Sequence, residues 1–380
     1  MPTTTNAESV ATFRLGHRPA LDGLRGVAIL SVMAVHTRIP GTHGGFLGVT
    51  VFFVISGFLI TTLLLEERDR TEAIDLGRFY TRRALRLLPA LVALLGALTI
   101  YGLVVYRGHE LTIELRRIGI GFGYVSNWVQ AFRIDSMGYL GHTWTLAIEE
   151  QFYVVWPLVL ILLTTSVRSP KKIAVIIAGG AVASAIWRVI LFTGTDASWH
   201  RVSAGLDTRA DALLVGCLLG VLVSYRLVPS RLYTSGTVRT VAHISCVVLV
   251  LMIAATRPAD AYLIEGGYLL AAIAAAAAIL DVVATPSGPL AHVLSMSPLV
   301  WVGRLSYSLY LWHVPVLELL RSRTALPQHD VALIGLLTSF ALATASYFLV
   351  EQPFLRRKVR LARRREPADL LMVASSGALS

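Results

Sequence analysis

The chain has 380 residues, 55% of them hydrophobic and only 15% charged, with 34 Lys and Arg against 23 Asp and Glu and a mean hydropathy of +0.66. A soluble protein of this length carries about a quarter charged residues and disperses its apolar ones, so a soluble globular enzyme is excluded. The net charge of +11 then reports membrane orientation first, and gives no ground for a nucleic-acid partner.

The opening residues, MPTTTNAESVATF, contain no basic stretch followed by a short apolar core, so no cleaved signal peptide is expected and the first span directs insertion. Apolar residues then fall in blocks. Charge-free runs at 44–65, 87–106 and 331–350 are each long enough to cross a hydrocarbon core of about 30 Å. Ala, Leu and Gly dominate them without alternation, which favours helices over a barrel. Ten spans are predicted, at about 20–38, 45–65, 84–106, 141–166, 173–193, 208–225, 240–256, 263–284, 299–320 and 330–350. The fold class is therefore an all-α polytopic membrane protein, with an N-terminal segment 1–19, a transmembrane domain 20–350 and a basic tail 351–380. With the N-terminus inside, 21 Lys and Arg fall on the inner side and nine on the outer, so both termini are expected in the cytoplasm.

Residues 21–37, LDGLRGVAILSVMAVHT, form the first span and carry Asp22, Arg25 and His36 within it. Eleven residues make about three helical turns, which puts Arg25 and His36 on one face, about 20° apart and about 16 Å apart along the axis. Asp22 joins that stripe. Ionisable groups inside a membrane are costly unless they face protein or water, so such a stripe reads as functional. The alternative for Asp22 and Arg25 is a local ion pair at the interface. Histidine accepts and returns a proton near neutral pH, which suits His36 to activating a hydroxyl; the alternative is a structural hydrogen bond between helices.

A charged connection, EERDRTEAIDLGRFYTRR, leads into the third span. There RFYTRRALRLLPA places Arg83 and Arg86 on one face at i, i+3, with Arg82 beside them. The planar guanidinium fork suits phosphate, so this mouth fits a phosphate-bearing donor from the cytoplasm. Anchoring to anionic membrane lipid is the competing reading. The long outer connection 107–140 mixes Leu, Ile, Trp and Arg, which predicts an interfacial helix or a re-entrant turn.

The fourth span opens HTWTLAIEEQFYVVWP, where Glu149, Tyr153 and Trp156 at i, i+4 and i+7 form one polar–aromatic stripe. Entering from the side opposite to the first span, this helix brings Glu149 to a depth similar to that of His36. Pairing of the two is one hypothesis; a Glu–Arg clamp is the other. The sixth span opens DTRADALLVG, whose Asp207, Arg209 and Asp211 are expected to neutralise one another. Cys217 and Cys246 lie in apolar runs and read as packing residues, implying neither a disulfide framework nor a metal site. The nearly all-alanine stretch 271–278 predicts close helix packing. In the ninth span, WVGRLSYSLYLWHVPV, the residues Arg304, Tyr307, Tyr310 and His313 step by three along one face, with His313 too deep for an interfacial belt.

Together these stretches resemble the acyltransferase-3 family of integral membrane O-acyltransferases, which modify sugars, cell-wall polymers, lipid-linked glycans or macrolides. The resemblance rests on Arg25 and His36 with ten residues between them in the first span, on FFVISGFLIT in the second, and on FYTRRALRLLP with Arg83 and Arg86. WTLAIEEQFYVVWP with Glu149 and Tyr153, GRLSYSLYLWHVPV, and EQPF at 351–354 complete the set in the family's order. Ala147 departs from it, since many relatives have serine there. The resemblance implies acyl-CoA, with acetyl-CoA the expected form, as cytoplasmic co-substrate, no bound cofactor, and an acceptor hydroxyl on a glycan, a lipid-linked sugar or a macrolide. It implies His36 as general base, with Glu149 orienting it or serving an adjacent proton step. Arg25, Arg83, Arg86, Tyr153, Tyr307, Tyr310 and His313 are then the expected donor- or substrate-binding residues. Direct transfer and a covalent acyl intermediate both fit. No soluble esterase-like appendage is expected, and the resemblance is greatest to stand-alone members, which favours a small hydrophobic or lipid-carried acceptor. A proton-coupled transporter or exporter in the cell membrane is the alternative class. A lipid-binding scaffold would explain the basic tail and leave His36 and Glu149 without a role.

Overall fold

The computed structural model describes residues 13–195, 198–234, 236–258 and 260–356; residues 1–12 of the expected N-terminal segment and 357–380 of the basic tail lie outside the described residues. All regular structure among the described residues is helical. In chain order the helices are α1 (Pro19–His36), α2 (Leu47–Thr71), α3 (Leu76–Val105), α4 (Gly108–Phe122), α5 (Ser126–Ala131), α6 (Trp144–Ser166), α7 (Pro170–Gly194) and α8 (Trp199–Ala204). They continue with α9 (Leu206–Ser224), α10 (Ser230–Thr234), α11 (Thr237–Ala255), α12 (Tyr268–Ala284), α13 (Pro289–Leu294), α14 (Ser297–Arg323) and α15 (Gln328–Ser346).

Among the described residues, seven helical stretches are long and apolar enough to cross a membrane by length and composition: those of α2, α3, α6, α7, α11, α12 and α15. The chain is thus a multi-pass helical membrane protein. The other three predicted spans coincide with α1, α9 and α14, whose hydropathy is lowered by Asp22, Arg25 and His36, by Asp207, Arg209 and Asp211, and by Arg304, His313 and Glu318. These helices turn most of their ionisable groups toward other helices, while α3, α7 and α15 turn apolar side chains such as Ile100, Val175 and Leu337 outward.

In lipid, where no water need be expelled between two apolar helices, close contact of small residues does much of the joining. Two seams show it. A Cβ on Gly216 of α9 would lie 2.1 Å from the Val54 carbonyl oxygen of α2, and one on Gly57 of α2 would lie 2.0 Å from that of Leu213. A Cβ on Gly26 of α1 would lie 2.3 Å from the Leu299 carbonyl oxygen of α14. Ala271, Ala272, Ala274, Ala275 and Ala278 of α12 are all buried, as the alanine run predicts.

Contact order fixes the relative helix directions. Arg25 meets Ser306 and His36 meets His313, so α1 and α14 run parallel. Ser56 meets Glu149 and Thr61 meets Trp156, so α2 and α6 run parallel. Gly45 and Gly48 pack on Ser31 and Ala28, while Leu15 meets Glu66, so α2 runs against α1.

Local chemistry sets several boundaries. Pro19 starts α1 at a position whose missing N–H is no loss. The Asp75 carboxylate caps α3 by accepting from the Arg78 N–H at 2.8 Å. At about 45 Å, α3 exceeds the hydrocarbon thickness, so its arginine-bearing N-terminal part can project beyond the membrane core. The outer connection folds into the amphipathic α4, the short α5 and a 3₁₀ turn, Gly138–Thr143. A π turn at Leu263–Gly267 exposes the Ile264 carbonyl, which accepts from Arg188 Nε at 3.2 Å.

Candidate active site

Helices α1, α2, α3, α6 and α14 enclose a cavity of about 550 Å³. Its mouth lies where the N-terminal end of α3 meets the C-terminal end of α2, and carries Arg14, Glu66, Glu67, Asp69, Arg70 and Arg82. Deeper in stand Arg25, Arg83, Arg86, Glu149, Tyr153 and Tyr307, and the far end is formed by Thr145 and Tyr310.

The deep arginines are not equivalent. Arg83 lies 3.6 Å from a Glu150 carboxylate oxygen and stacks its guanidinium on the Tyr153 ring. Arg25 donates from Nε and Nη2 to Ser306 Oγ, at 3.2 and 3.1 Å. Arg86 faces the cavity and, like Arg25 and Arg82, forms no ion pair among the described residues. Glu149 accepts from Ser56 Oγ at 2.5 Å, and Tyr307 donates to the Leu87 carbonyl at 3.0 Å, tying α14 to α3. The stripe predicted on the fourth span docks on α2, with Trp156 Nε1 donating to Thr61 Oγ1 at 2.9 Å.

Beyond the far end lies a second cluster. The Tyr310 hydroxyl donates to the His142 carbonyl at 2.9 Å and shares a 2.6 Å hydrogen bond with Thr145 Oγ1. Behind this wall, His313 Nε2 lies 3.1 Å from His36 Nδ1, and the His142 ring packs edge-on against His313 with centroids 5.5 Å apart. Arg321 donates to the His36 carbonyl and holds the end of α1. His313 and His142 are buried, whereas His36 is partly exposed without lining the cavity. Although three imidazoles gather here, no group of His, Cys, Asp or Glu among the described residues is arranged to hold a metal ion.

Several partnerships differ from the expectations. No hydrogen bond or ion pair joins His36 to Glu149; their partners are His313 and Ser56. Asp22 lies 3.6 Å from His17 instead of pairing with Arg25. Arg304 is exposed and does not share a face with His313, because each step of three slips about 60° and three steps carry the stripe half-way round. Asp207, Arg209 and Asp211 do not neutralise one another, since residues two apart on a helix point away from each other. Asp207 pairs with Arg201 at 2.5 Å and Asp211 with Arg188 at 2.7 Å, while Arg209 donates to Thr50 and covers the Tyr268 ring at 3.7 Å. Sequence reasoning passed over Ser56, Thr145, His142, Glu150 and Ser306 as working parts. Their one signal is polarity inside apolar runs, which in a membrane marks helix–helix hydrogen bonds.

A multi-pass helical bundle with an arginine-lined cavity backed by a histidine cluster has the build of a membrane-embedded group-transfer enzyme. The acyltransferase-domain family, acyltransferase-3, matches residues 18–350, and the chain belongs to it. It is 36% identical over 348 residues to the peptidoglycan O-acetyltransferase OatA of Listeria monocytogenes, covering 88% of this chain and 55% of the relative. It is 34% identical over 368 residues to the putative peptidoglycan O-acetyltransferase YrhL of Bacillus subtilis, covering 91% and 56%. Against the O-acetyltransferase OatA of Staphylococcus aureus (strain NCTC 8325 / PS 47) it is 34% identical over 353 residues, covering 90% and 57%. The chain thus spans just over half the length of these curated relatives. No solved structure matches it.

Proposed function

We propose that this protein moves an acetyl group from acetyl-CoA, admitted from the cytoplasm, to a hydroxyl of a glycan on the far side of the plasma membrane. The observation that carries the reading is one cavity lined by Arg25 and Arg86, whose guanidinium groups form no ion pair among the described residues, with Arg14, Arg70 and Arg82 at its mouth. Unpaired cations in a low-dielectric space call for a multiply charged anion, and the phosphates of CoA supply one. The arginine-bearing mouth then takes the nucleotide end, leaving the pantetheine arm to point at Thr145 and Tyr310. The names of the matched relatives draw the acceptor toward a glycan, away from the small hydrophobic molecule that a stand-alone enzyme suggests.

In this reading residues 20–350 form the catalytic domain, ten spans cross the membrane and both termini are cytoplasmic. The acceptor hydroxyl gives its proton to His36 as its oxygen bonds to the acyl carbon. The carbon–sulfur bond breaks, and the CoA thiolate leaves and is then protonated. Glu149, held by Ser56, sits among the deep arginines and balances part of their charge around the thioester arm. The Tyr310–Thr145 wall stands between the thioester and His36, so it shields the thioester from water until it parts for the acceptor hydroxyl, and this limits hydrolysis.

The test is the purified protein in liposomes with radiolabelled acetyl-CoA and soluble glycan fragments. Acceptor-dependent release of free CoA with label on the glycan supports the proposal. Movement of glycan across the bilayer with no CoA released overturns it in favour of a transporter.

A further inference from the structure

We propose that His313 is a positioning residue that sets the tautomer of His36, so that Nε2 of His36 is the nitrogen offered to the acceptor hydroxyl. The kinetic consequence rests on the acyl-transfer reading above; the tautomer assignment stands without it.

The argument follows single protons. His313 Nδ1 lies 3.0 Å from the Leu309 carbonyl and 2.9 Å from the Tyr310 carbonyl. Both partners only accept, so Nδ1 must carry the proton. In a neutral imidazole the other nitrogen then bears a lone pair, and His313 Nε2 is an acceptor. That acceptor is 3.1 Å from His36 Nδ1, which must therefore donate. The proton of His36 is thereby placed on Nδ1, and its Nε2 is left as the basic nitrogen.

The surroundings leave that nitrogen free. Nε2 of His36 has no hydrogen-bond partner among the described residues, and it is not among the buried polar atoms left unsatisfied, so it reaches open space. His142 packs edge-on against His313 with neither ring nitrogen hydrogen-bonded among the described residues, and so does not compete for the pair. Charged neighbours are Arg321, held by Glu318 at 2.6 Å and bound to the His36 carbonyl and not to its ring. The carbonyls that orient His313 belong to its own helix, one turn back, so the chain of proton placements is anchored in the backbone of α14. The parallel seam of α1 and α14 delivers the two rings to each other.

The direct test is ¹⁵N NMR of the intact protein labelled at histidine, with the His36 signals assigned by their loss in His36→Gln. A neutral His36 protonated on Nδ1 supports the proposal; one protonated on Nε2 overturns it, whatever the kinetics. In the second test His313→Met removes the acceptor, while His313→Gln replaces it with a carbonyl oxygen at similar reach. Methionine is expected to lower kcat at least about tenfold with KM for acetyl-CoA within about twofold of the parent, and glutamine to recover most of that loss. Equal losses in both variants, or a loss confined to KM, overturn it. An Nδ1-protonated His36 in an enzyme whose His36→Gln form still turns over would remove His36 as the general base and leave the tautomer assignment intact.

Discussion

Gly303 of α14 lies so close to Asp22 of α1 that a Cβ built on it would come within 1.7 Å of the Asp22 carbonyl oxygen. The obstacle is backbone, which cannot swing aside, so this contact sets the register of the two helices. The same register brings Arg25 to Ser306 and His36 to His313. Gly303→Ala is therefore expected to cost about 1–3 kcal/mol or more through overpacking and to lower activity with it. Gly179→Ala is the control, because a Cβ there meets nothing within 4 Å; it is expected to be neutral or to stabilise by up to about 1 kcal/mol. Thermal unfolding of detergent-purified protein reads both.

Arg83 and Arg86 share a face but do different work, and substitution separates them. Arg86→Ala removes a guanidinium with no ion pair, so the protein should insert normally while KM for acetyl-CoA rises at least about tenfold. Arg83→Ala also strands Glu150, and is expected to lower both donor affinity and thermal stability. Adding Glu150→Gln to it should restore stability and leave donor binding weak. Lysine at position 86 should rescue poorly, because it keeps the charge and loses the fork. Unchanged KM in Arg86→Ala would make that residue a membrane anchor only.

Tyr310→Phe deletes the hydroxyl that closes the wall between the donor cavity and the histidine cluster. Water on the acceptor side then gains access to the thioester. The ratio of acetyl-CoA hydrolysis to transfer should rise by about tenfold, the factor set by losing one to two hydrogen bonds. Assays with and without acceptor measure it, and an unchanged ratio would show that the wall lies elsewhere.

His36→Ala is expected to cut turnover by about 10²- to 10⁴-fold, the usual size of a proton-transfer contribution, with insertion and acetyl-CoA binding intact. His36→Gln can hydrogen-bond to His313 but cannot take a proton, so it should be nearly as inactive. The parent should lose rate on acidification, because an imidazolium cannot accept the hydroxyl proton. Near-parent turnover in the glutamine variant would move the proton step to Glu149.

The excess of Lys and Arg on one set of connections predicts that both termini are cytoplasmic. A reporter enzyme active only in the cytoplasm, fused after Ser380, should be active. Activity of a reporter that works only outside would reverse the cavity mouth and remove the cytoplasmic donor.

The sequence by itself determined the helical membrane class, the location of the long helices and the identity of the family. It also placed Arg25 and His36 on one face, and Glu149, Tyr153 and Trp156 on another, because helical periodicity is a property of a single segment. Partnership was decided by tertiary structure. His36 and His313 are 277 residues apart, and they meet because glycines in α1 and α14 allow the two backbones to touch. No period within either helix encodes that register, so Glu149 looked as eligible a partner for His36 as His313 did. The same holds for Asp211, whose partner Arg188 comes from α7, and for Arg83, whose carboxylate is Glu150 of α6. An ionisable group buried in lipid takes whichever partner the packing brings within reach, and packing between distant helices is settled by the shape of both surfaces.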